Sequence, residues 1–199
     1  SKGKPFINLL PLVQGETITA IMKLPENEAD CENLSIAFAT AKGNIRRNSL
    51  MDFVNVQSNG KIAMKLDEGD KLINVALCDD SNDIMLAAKS GKCIRFAVED
   101  LRVFVGRNST GVRGVKLQGD DEVISMSILK HCTASVEQRD EYLRVSNAMK
   151  RMEAESGVDA CISPDQTGLL NLLDTAKFEE MRKEEEFILT VTVTGYGKR

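Results

Sequence analysis

The chain has 199 residues, of which 42% are hydrophobic and 5% aromatic, with no Trp and a formal net charge of −4. That is enough for one domain or two small ones, with a core drawn from Ile, Val, Leu, Met and Ala. A membrane-spanning helix is excluded, because no run of about 18 apolar residues exists, and so is a nucleic-acid binder with evenly spread positive charge; any such role needs local basic patches.

In chain order, SKGKPFINLLPL (1–12) is too short and polar for a secretory signal. NLLPLVQGETITAI (8–21) carries a Gln14-Gly15-Glu16 turn. LSIAFAT (34–40) alternates as a strand does, and AKGNIRR (41–47) follows with a Gly-centred turn and cations, a hairpin signature. KIAMKLDEGDKLINV (61–75) reads as strand, acidic turn and strand. DIMLAAK (83–89) and SGKCIR (90–95) repeat the strand and the cationic turn. GVRGVKLQGDDEVISM (111–126) then repeats the 61–75 pattern, with Val115-Lys116-Leu117 answering to Met64-Lys65-Leu66.

The repeats have a fixed spacing. Gly43 and Gly91 lie 48 residues apart, and Met64 and Val115 lie 51 apart. A period of roughly 50 residues with four short strands is the size of a propeller blade, which must stack on its neighbours to bury both faces. Residues 1–130 are therefore expected to hold the end of one blade and two full ones. The expected fold class is all-β, with propeller-like blades forming an incomplete ring and an α-helical insertion near 131–186.

The insertion differs in kind. SVEQRDEYLRVSNAMKRMEAESG (135–157) spaces Tyr142, Val145, Met149 and Met152 by 3, 4 and 3, which predicts a helix with Gly157 as its stop. LLNLLDTAKFEEMRKEEE (169–186) is a second helical candidate whose start the pattern leaves open. Residues 131–187 hold 7 Lys/Arg and 13 Asp/Glu, a net of −6, whereas the rest holds 19 and 17, a net of +2. A solvated helical hairpin accounts for this, and an acidic arm that competes with DNA or docks a partner is the other reading. FILTVTV (187–193) and TGYGKR (194–199) then open a further blade, a strand and turn with no following strand to pair with.

Cations recur at matching places. Lys42, Arg46 and Arg47 belong to the first hairpin, Lys89, Lys92 and Arg95 to the second, and Lys198 and Arg199 to the last. Lys61 and Lys65 answer to Arg113 and Lys116, and Arg107 lies in the GRNSTG turn (106–111). In a ring such positions form a band, which suits a polyanion on a curved path, since phosphate contacts need only charge and reach. No catalytic or metal site is expected. His131 is the single histidine, no Gly-Lys-Ser/Thr phosphate loop exists, and Asp79-Asp80 and Asp120-Asp121 read as turn formers. The five cysteines, at 31, 78, 93, 132 and 161, form no Cys-x-x-Cys pair and read as reduced thiols.

SKGKPFINLLPL, AKGNIRRNSLMDF, GKIAMKLDEGDKLINV, GRNSTGVRGVKL and VTVTGYGKR together resemble the C-terminal domain of the A subunit of bacterial DNA gyrase. The resemblance covers the chain in order, apart from the helical insertion. It implies a β-pinwheel, a six-bladed ring with strands exchanged between neighbouring blades, around whose basic rim double-stranded DNA wraps to support ATP-dependent negative supercoiling. It also implies a parent A2B2 assembly in the bacterial cytoplasm, associated with the nucleoid, in which the partners are the gyrase B subunit, together with a second gyrase A subunit. The catalytic tyrosine would lie upstream and the ATP and Mg²⁺ in the holoenzyme, so no cofactor is expected in this stretch. The family's basic box, a run like Gln-Arg-Arg-Gly-Gly-Lys-Gly, is not among these residues, which leads us to expect a stretch from the middle of a longer polypeptide. The A subunit of topoisomerase IV, and a propeller that binds protein through its insertion, are the alternatives.

Overall fold

The computed structural model describes residues 3–5, 8, 10, 12–55, 60–156, 164 and 168–198. The chain divides into two compact units, Ser1–His131 and Cys132–Arg199.

The first unit holds two antiparallel sheets. Its strands are β1 (Ser35–Thr40), β2 (Asn44–Ser49), β3 (Leu72–Cys78), β4 (Asn82–Ala88), β5 (Cys93–Ala97), β6 (Val112–Arg113) and β7 (Val123–Lys130). The first sheet has the order β3-β1-β2-β6 and the second β5-β4-β7. The sequence period reappears as hydrogen-bond register. The β1–β3 ladder shifts after Ala39, so that Thr40 faces Leu72, and the β4–β7 ladder shifts after Ala87, so that Ala88 faces Val123. The two shifts are separated by 48 residues on one strand and 51 on the other, the offsets already visible in the sequence.

Gly43, Gly91 and Gly195 close the hairpin turns with φ of 85°, 86° and 86°. Their N–H groups donate to the carbonyls of Thr40, Ala88 and Thr192, three residues back. A turn ending on a left-handed residue is a three-residue hairpin loop, and only glycine enters that region without strain.

Period-2 alternation sorts the side chains of β1. Ala37 and Ala39 join Ile45 and Cys78 in a cluster with Ile84, Leu86, Val123 and Met126 of the second sheet, whereas Ile36 and Phe38 pack on the other face with Cys31 and Leu50. Ile84 and Leu86 occupy in β4 the places of Ile36 and Phe38 in β1. The two sheets therefore stack head to tail, the bulky face of one against the alanine face of the other, as repeating blades do. Burying each bulky side chain contributes about 1.5–3 kcal/mol.

Between β5 and β6 the chain crosses back. Val112 and Arg113 pair with Ile45 and Asn44, so a strand that follows the second hairpin completes the first sheet. The matching stretch 60–66 was expected to be a strand and is not one. Only its Lys65 N–H is recorded donating across, to the Ser109 carbonyl at 3.3 Å. The stretch around Val112 finds the open edge of β2, and 60–66 finds no such edge among the described residues.

The second unit holds α1 (Val136–Ser156), α2 (Thr175–Lys183), β8 (Thr190–Val191) and β9 (Gly197–Lys198). Tyr142, Val145 and Met149 are buried against Leu173 and Phe178, the Tyr142 and Phe178 rings lying 4.9 Å apart. Met152, placed on the same stripe by spacing, is instead 41% exposed. Gly157 lies outside the described residues. The second helix begins at Thr175, not at Leu169. Asp174 caps it by accepting from the Lys177 N–H at 2.7 Å, and the buried Glu141 carboxylate takes the N–H groups of Asn171 and Leu172, holding the leucine-rich lead-in out of the helix. The closing turn is not an orphan: Thr190 pairs with Lys198 and Val191 with Gly197, the register of Phe38 with Arg46 and Ala39 with Ile45.

Candidate nucleic-acid interface

In the first unit the residues after β6 run along the two hairpin tips. The Gly114 and Val115 N–H groups donate to the Gly43 carbonyl at 2.8 and 3.3 Å. Further on, Gln118 Oε1 accepts from Lys92 Nζ at 3.3 Å. One edge thus gathers Lys42, Arg113, Lys116, Lys89 and Lys92, all exposed. Lys42 Nζ donates to the Glu68 carbonyl at 2.5 Å. No hydrogen bond or ion pair is recorded among the described residues for the side chains of Lys65, Lys89, Arg113 and Lys116, which leaves four cations free to meet an anion.

Acidic turns hold the tips in place. Asp70 accepts from the Lys42 N–H and Asp121 from the Ser90 N–H, each at 3.0 Å, and each also accepts from the N–H of the residue that follows it. The Ser90 hydroxyl and N–H hold the Asp121 carboxyl below its ordinary pKa. Asp120-Asp121 is thus a structural turn former. Among the described residues no cluster of His, Cys, Asp and Glu has the make-up of a metal site.

Arg46 and Arg47, expected on the exposed rim, are instead buried, at 1% and 6% exposure. Arg46 donates from Nε to Asn48 Oδ1 at 2.7 Å, from Nη1 to the Ser109 carbonyl and hydroxyl at 2.6 and 2.7 Å, and from Nη2 to the Gly106 carbonyl. Its guanidinium lies 4.9 Å from the centre of the Phe104 ring. Burial lowers its pKa while Asp52 opposes the shift, and an arginine remains charged. Arg47 reaches the Val98 and Leu101 carbonyls, Ser35 Oγ and the Asp80 carboxylate. Both face the crossing segment 98–111 and between them satisfy four of its carbonyls, those of Val98, Leu101, Gly106 and Ser109.

The remaining sequence candidates divide. Arg95 is exposed, but bound to Asp83 at 2.7 Å and to the Lys130 carbonyl at 2.8 Å. Lys61 is exposed, but its Nζ is held by the Asp52 and Asn55 carbonyls at 2.8 and 2.9 Å. Arg107 is half-buried, with its Nη1 enclosed and without a hydrogen-bond partner. Lys198 is exposed on β9, in the other unit, and Arg199 lies outside the described residues. Sequence reasoning passed over Asn48, whose Nδ2 donates to the Phe104 and Gly106 carbonyls at 3.0 and 3.1 Å. No local signal in the sequence marks it, because its partners arrive from a segment more than 50 residues away. Cys78 is no nucleophile: burial pushes its thiol up to about 11, although Arg47 pulls the other way.

Residues 35–79 and 82–130 match the family described as the DNA gyrase C-terminal domain, a β-propeller. Over 198 residues the chain is 53% identical to the DNA gyrase A subunit of Rickettsia bellii, an alignment that covers all of this chain and 21% of the relative. It is 50% identical over 207 residues to the DNA gyrase A subunit of Granulibacter bethesdensis, covering all of this chain and 22% of that one. The same subunit of Salmonella typhimurium is 43% identical over 128 residues, 64% of this chain and 14% of the relative. The chain thus spans about a fifth of the length of the first of these relatives, whose alignment takes in the helical unit as well. Among solved structures, a DNA gyrase A C-terminal domain superposes with a TM-score of 0.55 at 25% identity, over 65% of this chain and 42% of that one. A C-terminal domain of DNA topoisomerase IV superposes with a TM-score of 0.58 at 22% identity, over 65% of this chain and 39% of that one, a likeness of fold alone.

Proposed function

The chain belongs to the DNA gyrase C-terminal domain family, and from that premise we propose that it is a non-catalytic module that binds and bends double-stranded DNA along the hairpin-tip edge of its first unit. The observation that carries the reading is the set of unpartnered cations there, Lys89, Arg113 and Lys116, to which Lys42 and Lys92 add by exchanging a neutral protein oxygen for a phosphate. In the parent protein this grip would wrap DNA in support of ATP-dependent negative supercoiling, in company with the B subunit, with a second A subunit, in the bacterial cytoplasm at the nucleoid. ATP and Mg²⁺ would act in the holoenzyme, with no cofactor in this stretch. Identity of 53% over the whole of this chain to a gyrase A relative supports gyrase as the parent.

Bending a few helical turns of duplex costs several kcal/mol, roughly 1–6 by elastic estimates. Release of counterions offsets it. If about six phosphates are met, the slope of log K against log salt is about −5. Gel-shift titrations of the whole chain against random-sequence duplex at rising salt test this. A slope near that value, with little dependence on sequence, supports the reading, and binding indifferent to salt counts against it.

A further inference from the structure

The crossing segment 98–111 leaves the second hairpin, returns to the first sheet as β6 and delivers Arg113 and Lys116 to the edge described above. Three consecutive residues of β2 grip it. Arg47 donates to the carbonyls of Val98 and Leu101, Asn48 to those of Phe104 and Gly106, and Arg46 to those of Gly106 and Ser109 and to the Ser109 hydroxyl. In return the Phe104 N–H donates to the Arg47 carbonyl at 2.8 Å. Five carbonyls of one segment end on three side chains of another sheet. The grip is not a general feature of the repeat, since Ile94 and Phe96 stand where Arg46 and Asn48 would fall in the second hairpin.

We propose that Arg46, supported by Asn48, is a positioning residue for DNA binding: it clasps the crossing segment and so fixes where Arg113 and Lys116 stand, without itself meeting a phosphate. The proposal rests on the DNA-binding reading above. Its physical basis is pre-organisation. Two cations on an unrestrained crossing would have to be ordered at the moment of binding, and ordering costs affinity without changing how many phosphates are neutralised in the complex. Arginine suits the task because its planar fork spans acceptors on two sides, which an ammonium does not.

Affinity and salt slope separate positioning from contact. The whole chain and its Arg46→Gln, Arg46→Lys, Arg113→Gln and Ser109→Ala variants are titrated with random-sequence duplex across a salt series, after thermal melts confirm folding. Arg113→Gln makes the slope shallower by about 0.9, one phosphate contact. Arg46→Gln and Arg46→Lys each weaken binding by on the order of tenfold at unchanged slope, because lysine keeps the charge and loses the fork. Arg46→Lys binding like the wild type, or Arg46→Gln losing slope as Arg113→Gln does, makes Arg46 a phosphate contact and overturns the proposal. A folded Arg46→Gln with unaltered affinity overturns it as well. Should the Arg46 variants not fold, Ser109→Ala carries the test, with weaker binding at unchanged slope supporting the clasp and unaltered binding refuting it. Wild-type chain that shows no salt-dependent binding overturns the DNA reading itself, and the positioning role with it.

Discussion

Arg46 and Arg47 adjoin on β2, and both end inside the protein. A cation just past a hairpin turn reads as exposed in sequence, because turns usually are; what reverses the expectation here is a segment arriving from another sheet with carbonyls to satisfy, which no local pattern announces. Gly111 shows how closely that segment approaches. Its φ is +87°, and a Cβ there would stand 2.2 Å from the Ile45 carbonyl oxygen. Gly111→Ala is expected to lower the stability of the first unit by at least about 2 kcal/mol, the sum of left-handed strain and a backbone clash, read as a lower urea midpoint; an unchanged midpoint would mean that the segment is not held so near. Asp83 offers a pH test. Burial alone would raise its carboxyl, but hydrogen bonds from His131 Nδ1 at 2.6 Å and Arg95 Nε at 2.7 Å hold it below the ordinary 3.8. A carboxyl lowered on folding adds stability that is complete above its unfolded value and fades as pH falls through the folded one. Urea midpoints of the wild type should therefore drop steeply below about pH 4, and Asp83→Asn should flatten that limb while lowering the neutral-pH midpoint.

Among the elements, the hairpins were the most legible. Alternation, a Gly at the fixed place and a spacing of 48 located β1–β2 and β4–β5 and correctly paired their turns. The last hairpin shares their register, and Thr40 and Thr192 even accept with the same hydroxyl, from the N–H four residues on. That register puts Lys198 at the place of Arg46, so its position matches that of a clasp residue and not that of a turn cation. What sequence did not reveal was partnership. KIAMKL and GVRGVKL look alike, yet only the second reaches an open strand edge, a tertiary fact. In the helical unit, periodicity found α1, while the start of α2 depended on one cap and one buried carboxylate. Asp174→Ala should cost about 1 kcal/mol by loss of the cap, and Phe178→Ala about 3–5 kcal/mol by opening the small core it fills. Loss of helical circular dichroism on heating reads both, and equal effects from the two would speak against the assigned roles.

For the whole molecule, a net charge of −4 conceals local balance. Each hairpin tip of the first unit sets its cations beside an acidic turn that anchors the backbone, so the positive edge rests on the few side chains that no carboxylate has claimed. Composition foretold the need for patches, and the repeat showed which turns bear them. Which cations remain free became visible only once the crossing segment had taken Arg46 and Arg47 inward. The most direct test of the edge is charge reversal at Arg113 and Lys116 together, with duplex binding followed across a salt series. The expected result is a folded protein whose affinity falls steeply and whose log–log slope becomes shallower by about 2, one for each lost phosphate contact. Wild-type affinity and slope in that double variant would contradict the proposal that DNA lies along this edge.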